Sequence, residues 1–252
     1  MMDVLGTAFL LSAVLLGLHS YFGIEIIKRG IIFTDLAVGQ MAALGAAISL
    51  IFLHGEYMYV ISLGFALFGG LLNSLAVRKV RHVEAFIGLM YALGVSGVFI
   101  LLSKSAHGTE EFQKLLAADI LFTPMGEIIK TAALYAGLGL ILFYFNRRVQ
   151  GLMKDILFFT TFSVMITTSV RMAGVFVVFA LLIGPAFVAL RSGEKGVVIR
   201  SWIIGLVINI IALGISYRHD FPTGYTIVFF HALAAMLSTV LIKDKNGRAA
   251  EE

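Results

Sequence analysis

The sequence predicts an all-α membrane protein, a polytopic bundle of about eight or nine transmembrane helices, and three observations carry that reading. Hydrophobic residues make up 60% of the 252 positions and charged residues 13%, with a mean hydropathy of +0.98; soluble domains carry about 25% charged residues. The charges fall almost entirely between apolar runs of about 17 to 25 residues, the length an α-helix needs to cross hydrocarbon. The runs are continuously apolar and lack the alternation of a membrane barrel, so backbone hydrogen bonds must close within helices. The chain reads as one transmembrane domain over residues 1–252.

Spans are expected at about 4–24, 33–53, 57–77, 85–103, 128–145, 156–170, 172–190, 201–217 and 225–242. The first lacks a basic n-region and is too long for a signal-peptide core, so it is expected to stay in the membrane. Arg171-Met172-Ala173-Gly174 leaves little loop between the sixth and seventh. A single helix through Leu190 would be about 50 Å long, so two helices and a count of nine are preferred to eight. Gly39, Ala43 and Ala47, or Ala42 and Ala46, recur at the four-residue spacing that lets helices pack closely in lipid. The three prolines, Pro124, Pro185 and Pro222, fall near expected helix ends or breaks, and Pro185 after Gly184 is a candidate kink.

Alternating the loops between two sides gathers Lys28, Arg29, Arg78, Lys79, Arg81, Arg147, Arg148, Lys154, Arg191, Lys195, Arg200, Lys243, Lys245 and Arg248 on one side, fourteen of the nineteen basic residues. That side is expected to be cytoplasmic, with the N-terminus outside and the tail inside. The sizeable external loop, 104–127, ends in an apolar stretch around Asp119-Ile120-Leu121. The pI near 9.3 reflects loop lysines and arginines, not nucleic-acid binding. With no cysteine, thiolate ligands are excluded.

Metalloprotease, serine-hydrolase and phosphate-loop motifs are absent, so those enzyme classes lack their minimal residues. No two of the six histidines share a helical face, which argues against a histidine metal cage. His19 and His231 lie within apolar runs, as single hydrogen-bonded side chains or as ligands on an ion pathway. Asp35 is the exception among the charges, standing just inside an apolar run. A carboxylate there costs at least a few kcal/mol, which makes it a functional-site candidate; the alternative is a helix cap for a helix beginning near Leu36.

Four segments resemble the membrane subunit of the zinc, manganese and iron ABC importers. They are Arg29 to Gly45 around Asp35; Ala85 to Gly94 followed by Asp119-Ile120-Leu121; Val170 to Val175 continuing through Gly184-Pro185-Ala186; and Asp220-Phe221-Pro222-Thr223-Gly224-Tyr225. The resemblance implies a metal-importer permease fold and a metal path lined on the second helix by Asp35 and, counting from Gly45, by Gln40 where the family has a histidine. Counting from Asp35 instead puts Gly39 at that position, an extra residue that a π-bulge could absorb. Without the imidazole, the oxygen ligands favour Mn²⁺ or Fe²⁺ over Zn²⁺.

The same resemblance places ATPase coupling on the loop 146–155, through Arg147, Arg148, Gln150, Gly151 and Lys154, with residues 191–200 as a second cytoplasmic contact, and marks Asp119 and Asp220 as external loop positions. It implies a non-enzymatic permease in the cytoplasmic (inner) membrane of a prokaryote. Two copies would form a pore, separate ATP-binding subunits would power it, and an extracytoplasmic metal-binding protein would deliver a divalent metal ion, with no permanently bound cofactor. The alternative function is an ion-coupled secondary transporter working alone.

Overall fold

The computed structural model describes residues 2–104, 120–146, 148–193 and 195–242. Among the described residues there are nine α-helices and no strand: α1 (Met2–Arg29), α2 (Thr34–Leu53), α3 (Met58–Lys79), α4 (Val83–Leu102), α5 (Met125–Phe145), α6 (Leu152–Ala173), α7 (Val175–Arg191), α8 (Val197–His219) and α9 (Thr223–Leu241). A short 3₁₀ turn, Ile120–Phe122, precedes α5. Eight helices have the length and hydropathy of a membrane span, and α7 is a shorter apolar helix.

The break between α6 and α7 falls at Gly174, whose φ of +80° and ψ of 157° suit a residue without Cβ. Two helices therefore replace the single long one. The other turns are equally local. Between α2 and α3, His54 and Tyr57 both take positive φ, and the chain reverses because Gly55 N–H donates to Ser49 O at 3.0 Å and Ser49 Oγ donates to Glu56 O at 2.6 Å. Between α8 and α9, Asp220 takes φ +54° while Ser216 Oγ donates to Phe221 O and lies 2.8 Å from Thr223 Oγ1. Asp is one of the few non-glycine residues that tolerates this conformation.

The helix boundaries correct two expectations. α6 begins at Leu152, so Lys154 and Asp155 lie in its first turn and the connection from α5 shortens to residues 146–151. Pro185 lies inside α7, within the expected seventh span; it removes the N–H that Leu181 O would accept, yet the helix continues to Arg191. α2 is α-helical from Thr34 to Leu53, so no π-bulge absorbs an extra residue.

The chain forms two compact units. In the unit made of Met1–Gly30, Asp119–Ala133 and Met172–Glu252, Gly23 sits against the backbone of Leu182, and Gly205 against Leu16 and Pro185, where a side chain would collide. Helix ends here are closed by arginines. Arg200 donates to the carbonyls of Ala189, Ser192 and Gly193 at the end of α7, and Arg191 to those of Ser238, Thr239 and Ile242 at the end of α9. Carbonyls at a helix C-terminus run short of intrahelical donors, and a cation there also complements the helix dipole.

In the unit made of Ile31–Ala118 and Leu134–Arg171, α2 packs between α3 and α4. The close approach to α3 is made by Gly45, where a Cβ would lie 2.7 Å from Ile61 O and 2.9 Å from Ser62 Cα. The approach to α4 is made by Gly94 and Gly97, which meet Gln40 and Leu44. Of the small residues expected to mediate packing, Ala47 does so against Val98 and Leu102. Ala43 and Ala46 pack against the same group, and together with Gly39 and Ala42 they have a further role, described next.

Candidate functional site

Gly39, Ala42, Ala43 and Ala46 of α2 line a cavity of about 210 Å³, closed on its other sides by Met58, Tyr59 and Ser62 of α3 and Thr167, Val170 and Arg171 of α6. The small side chains keep the space open. Tyr59 is fixed at its edge: its hydroxyl lies 3.1 Å from Thr168 Oγ1, and the Arg171 guanidinium stacks 4.9 Å from its ring centroid. The cavity thus has an apolar α2 wall and a polar rim of hydroxyls with one guanidinium.

Asp35 stands on the same helical line. It precedes Ala42 by seven residues, two turns and about 10 Å along the axis, and is rotated only about 40° from Gly39. The residue is 2% exposed, and Oδ1 has no hydrogen-bond partner. α2 starts before it: Phe33 is the N-cap and makes no side-chain capping bond, and Asp35 is the second helical residue. Glu84 of α4 supports this helix start by accepting Phe33 N–H at 3.3 Å. Asp35 therefore sits in the first turn, where the exposed N–H dipoles favour a carboxylate, without being the cap itself.

Gln40 is not brought beside Asp35. Five residues along a regular helix turn it about 140° away. It is half-buried against Gly94, where a Cβ would come within 2.8 Å of Gln40 Cβ. The position sharing Asp35's face is Gly39, on the cavity wall. Of the two ways of counting along this segment, the helix geometry supports the one anchored on Asp35.

The residues expected to couple to an ATPase occupy the α5–α6 connection. Arg148 stacks over Tyr144, 3.8 Å from its centroid, Gln150 is exposed, and Gly151 takes φ +64° and accepts N–H bonds from Lys154 and Asp155 to start α6. Arg147 lies outside the described residues, as does Asp119. Asp220 is exposed and lines a pocket of about 310 Å³ with Leu5, Leu121, Arg218 and Phe221.

The hydroxyl run of α6 is satisfied locally. Thr161, Ser163, Thr167, Thr168 and Ser169 donate to carbonyls four residues back, so these side chains are not free ligands. His19 Nδ1 lies 2.7 Å from Leu15 O, and His231 Nε2 lies 2.8 Å from Asn209 Oδ1 across α9 and α8. Among the described residues no three His, Asp or Glu side chains converge. Sequence reasoning passed over Asn73, which is fully buried in α3 with neither amide atom partnered. A lone Asn inside the run 57–77 was the signal available.

The comparisons with known proteins match this architecture. The sequence profile of the ABC 3 transport family matches residues 1–242. No curated protein sequence matches the chain. Among solved structures, PsaBC from Streptococcus pneumoniae in complex with Fab aligns with a TM-score of 0.73 at 18% identity, covering 99% of this chain and 95% of that one. A metal-chelate type ABC transporter in an inward-facing conformation aligns with a TM-score of 0.66 at 15% identity, covering 93% and 85%. At these identities the structural matches establish the fold; with the family profile spanning nearly the whole sequence, the chain is a membrane-embedded permease belonging to the ABC 3 transport family.

Proposed function

We propose that the protein is the permease subunit of an importer carrying a divalent transition-metal ion across the cytoplasmic membrane of a prokaryote. The N-terminus lies outside, separate ATP-binding subunits drive the cycle, and an extracytoplasmic metal-binding protein delivers the ion. The permease works as a dimer of such domains and catalyses no reaction of its own. The observation that carries this reading is Asp35: a carboxylate 2% exposed, with an unpartnered oxygen, aligned beneath a small-residue cavity. Buried ionisable groups in membrane spans are expensive and belong to ion paths more often than to packing.

The donor chemistry narrows the cargo class. A carboxylate oxygen without an imidazole beside it suits Mn²⁺ or Fe²⁺ better than Zn²⁺, which prefers imidazole and thiolate. The similarity to a metal-chelate type transporter supports a metal-linked cargo. The ATPase contact is assigned to residues 146–151 and the first turn of α6, where Gln150 is exposed and basic residues cluster.

The test is affinity purification of the full chain from its host membrane, followed by uptake assays in proteoliposomes. Co-purification of a nucleotide-binding subunit and ATP-dependent uptake of Mn²⁺ or Fe²⁺ are expected. Metal uptake by this chain alone, driven by an ion gradient without ATP, would establish the secondary-transporter alternative.

A further inference from the structure

Asn73 is fully buried in α3, and both its Oδ1 and its Nδ2 lack a hydrogen-bond partner. An amide buried in this way is disfavoured twice, once for each unsatisfied group, and native interiors rarely retain one without a reason. Its position supplies one. Gly45 lies against Ile61 and Ser62, and Gly69 against Met41, which fixes α2 and α3 as antiparallel with Asp35 level with residues 72–75.

The two residues also share an outlook. Asp35 lies on the line of Ala42, seven residues on, and Asn73 on the line of Ser62, eleven residues back; Ala42 and Ser62 both line the cavity. Gly69 faces α2 and Gly70, about 100° round, faces α6, where a Cβ would meet Ser163 and Phe159, so Asn73 lies between these two directions. Asp35 and Asn73 thus stand at one level beneath the cavity, in the space bordered by α2, α3 and α6, each with an unpartnered oxygen.

We propose that Asn73 is a second oxygen ligand which, with Asp35, forms a transit site for a partly hydrated divalent cation. This rests on the permease reading above and extends it from one residue to a site. One carboxylate and one neutral amide oxygen leave most coordination positions to water. Mn²⁺ accepts such oxygen-rich, hydrated coordination, whereas Zn²⁺ gains little from it. Such a sparse site also meets the requirement that a transported ion bind well enough to enter and weakly enough to leave.

The experiment is a Mn²⁺ titration, followed by electron paramagnetic resonance, of the purified full chain in lipid nanodiscs, with thermal unfolding measured in parallel. Asn73→Leu, of similar volume and without polar atoms, is expected to weaken Mn²⁺ binding about tenfold or more while the melting temperature stays level or rises, because unpartnered polar atoms are removed. Asp35→Asn is expected to abolish binding. The exchanged pair Asp35→Asn with Asn73→Asp is expected to recover affinity to within about threefold, since the carboxylate moves to the other ligand of one site.

Unchanged Mn²⁺ affinity in Asn73→Leu, or no recovery in the exchanged pair, overturns the Asn73 proposal. If Asp35→Asn alone loses binding in that case, the metal-path reading of Asp35 stands without it. Wild-type affinity in Asp35→Asn, or no Mn²⁺ binding by the unaltered chain, overturns both. If Asn73→Leu does not fold, Asn73→Asp alone decides the question: a shared site requires tighter Mn²⁺ binding, and unchanged affinity rejects it.

Discussion

Arg78 Nε lies 2.8 Å from Asp155 Oδ2, tying the last turn of α3 to the first turn of α6 beside the candidate coupling segment. Gly151, which opens that turn, lies under the same guanidinium: a Cβ there would come 3.8 Å from Arg78 Nη2. A push on residues 146–151 therefore reaches the last turn of α3, one wall of the cavity, through this ion pair. Arg78 is 42% exposed and Asp155 13%, so the pair is worth about 1 kcal/mol in a double-mutant cycle.

Arg78→Ala and Asp155→Asn are each expected to lower the melting temperature of the detergent-solubilised chain by about 2–4 °C. Both are expected to uncouple ATP hydrolysis from uptake in the reconstituted complex, leaving ATPase rates near wild type while transport falls several-fold. Equal losses of ATPase and transport, or no loss of either, would remove the ion pair from the coupling route.

Gly45 provides a test of the α2–α3 packing. Its missing Cβ would meet backbone atoms of Ile61 and Ser62, which cannot rotate away. Gly45→Ala is therefore expected to destabilise by about 1–3 kcal/mol as the helices are forced apart. Gly64, also in α3, has nothing within 4 Å of the same point, and Gly64→Ala is expected to leave the melting temperature level or slightly raised. Equal effects of the two substitutions would contradict the register of this helix pair.

In the other unit, His231 and Asn209 are both fully buried and joined at 2.8 Å. Asn209→Leu leaves the imidazole without that partner and is expected to cost about 1–3 kcal/mol. Adding His231→Leu should restore part of the loss, because two apolar groups replace one stranded polar one. Additive losses in the double variant, read by thermal unfolding, would show that the pair does not act as a unit.

The nine helices of the described residues were legible in the sequence because hydrocarbon enforces a simple rule: about twenty apolar residues, backbone bonds closed internally. The break at Gly174 was legible for the same reason of length. What the run lengths could not reveal was orientation around each axis. Counting back from Gly45 puts the resembling family's histidine at Gln40, yet a period of 3.6 residues turns Gln40 away from Asp35 and gives Asp35 the face of Gly39 instead. Asn73 was passed over because its partnerless state depends on what surrounds it, and no periodicity encodes that. The start of α6 at Leu152 was hidden by charges: Lys154 and Asp155 read as loop, although Asp155 is buried and held by Arg78.

The face that Asp35 shares with Gly39 bears on which substitution should alter metal choice. The resembling family carries a histidine on this helix after its aspartate, and two ways of counting placed that position at Gln40 or at Gly39. Gly39 is one turn beyond Asp35 on the same face and borders a cavity of about 210 Å³, so an imidazole introduced there has room and a carboxylate within reach. Gln40 is turned about 140° from Asp35 and lies against Gly94 of α4. Gly39→His is therefore expected to raise the ratio of Zn²⁺ to Mn²⁺ uptake several-fold, since imidazole suits Zn²⁺, and Gln40→His to leave the ratio unchanged while lowering stability through the α2–α4 contact. Asp35→Asn should abolish the gain in Gly39→His, because the histidine alone supplies one ligand. Competitive uptake of the two metals in all three backgrounds measures this directly: a shift in Gln40→His without one in Gly39→His would return the metal path to the opposite face of α2.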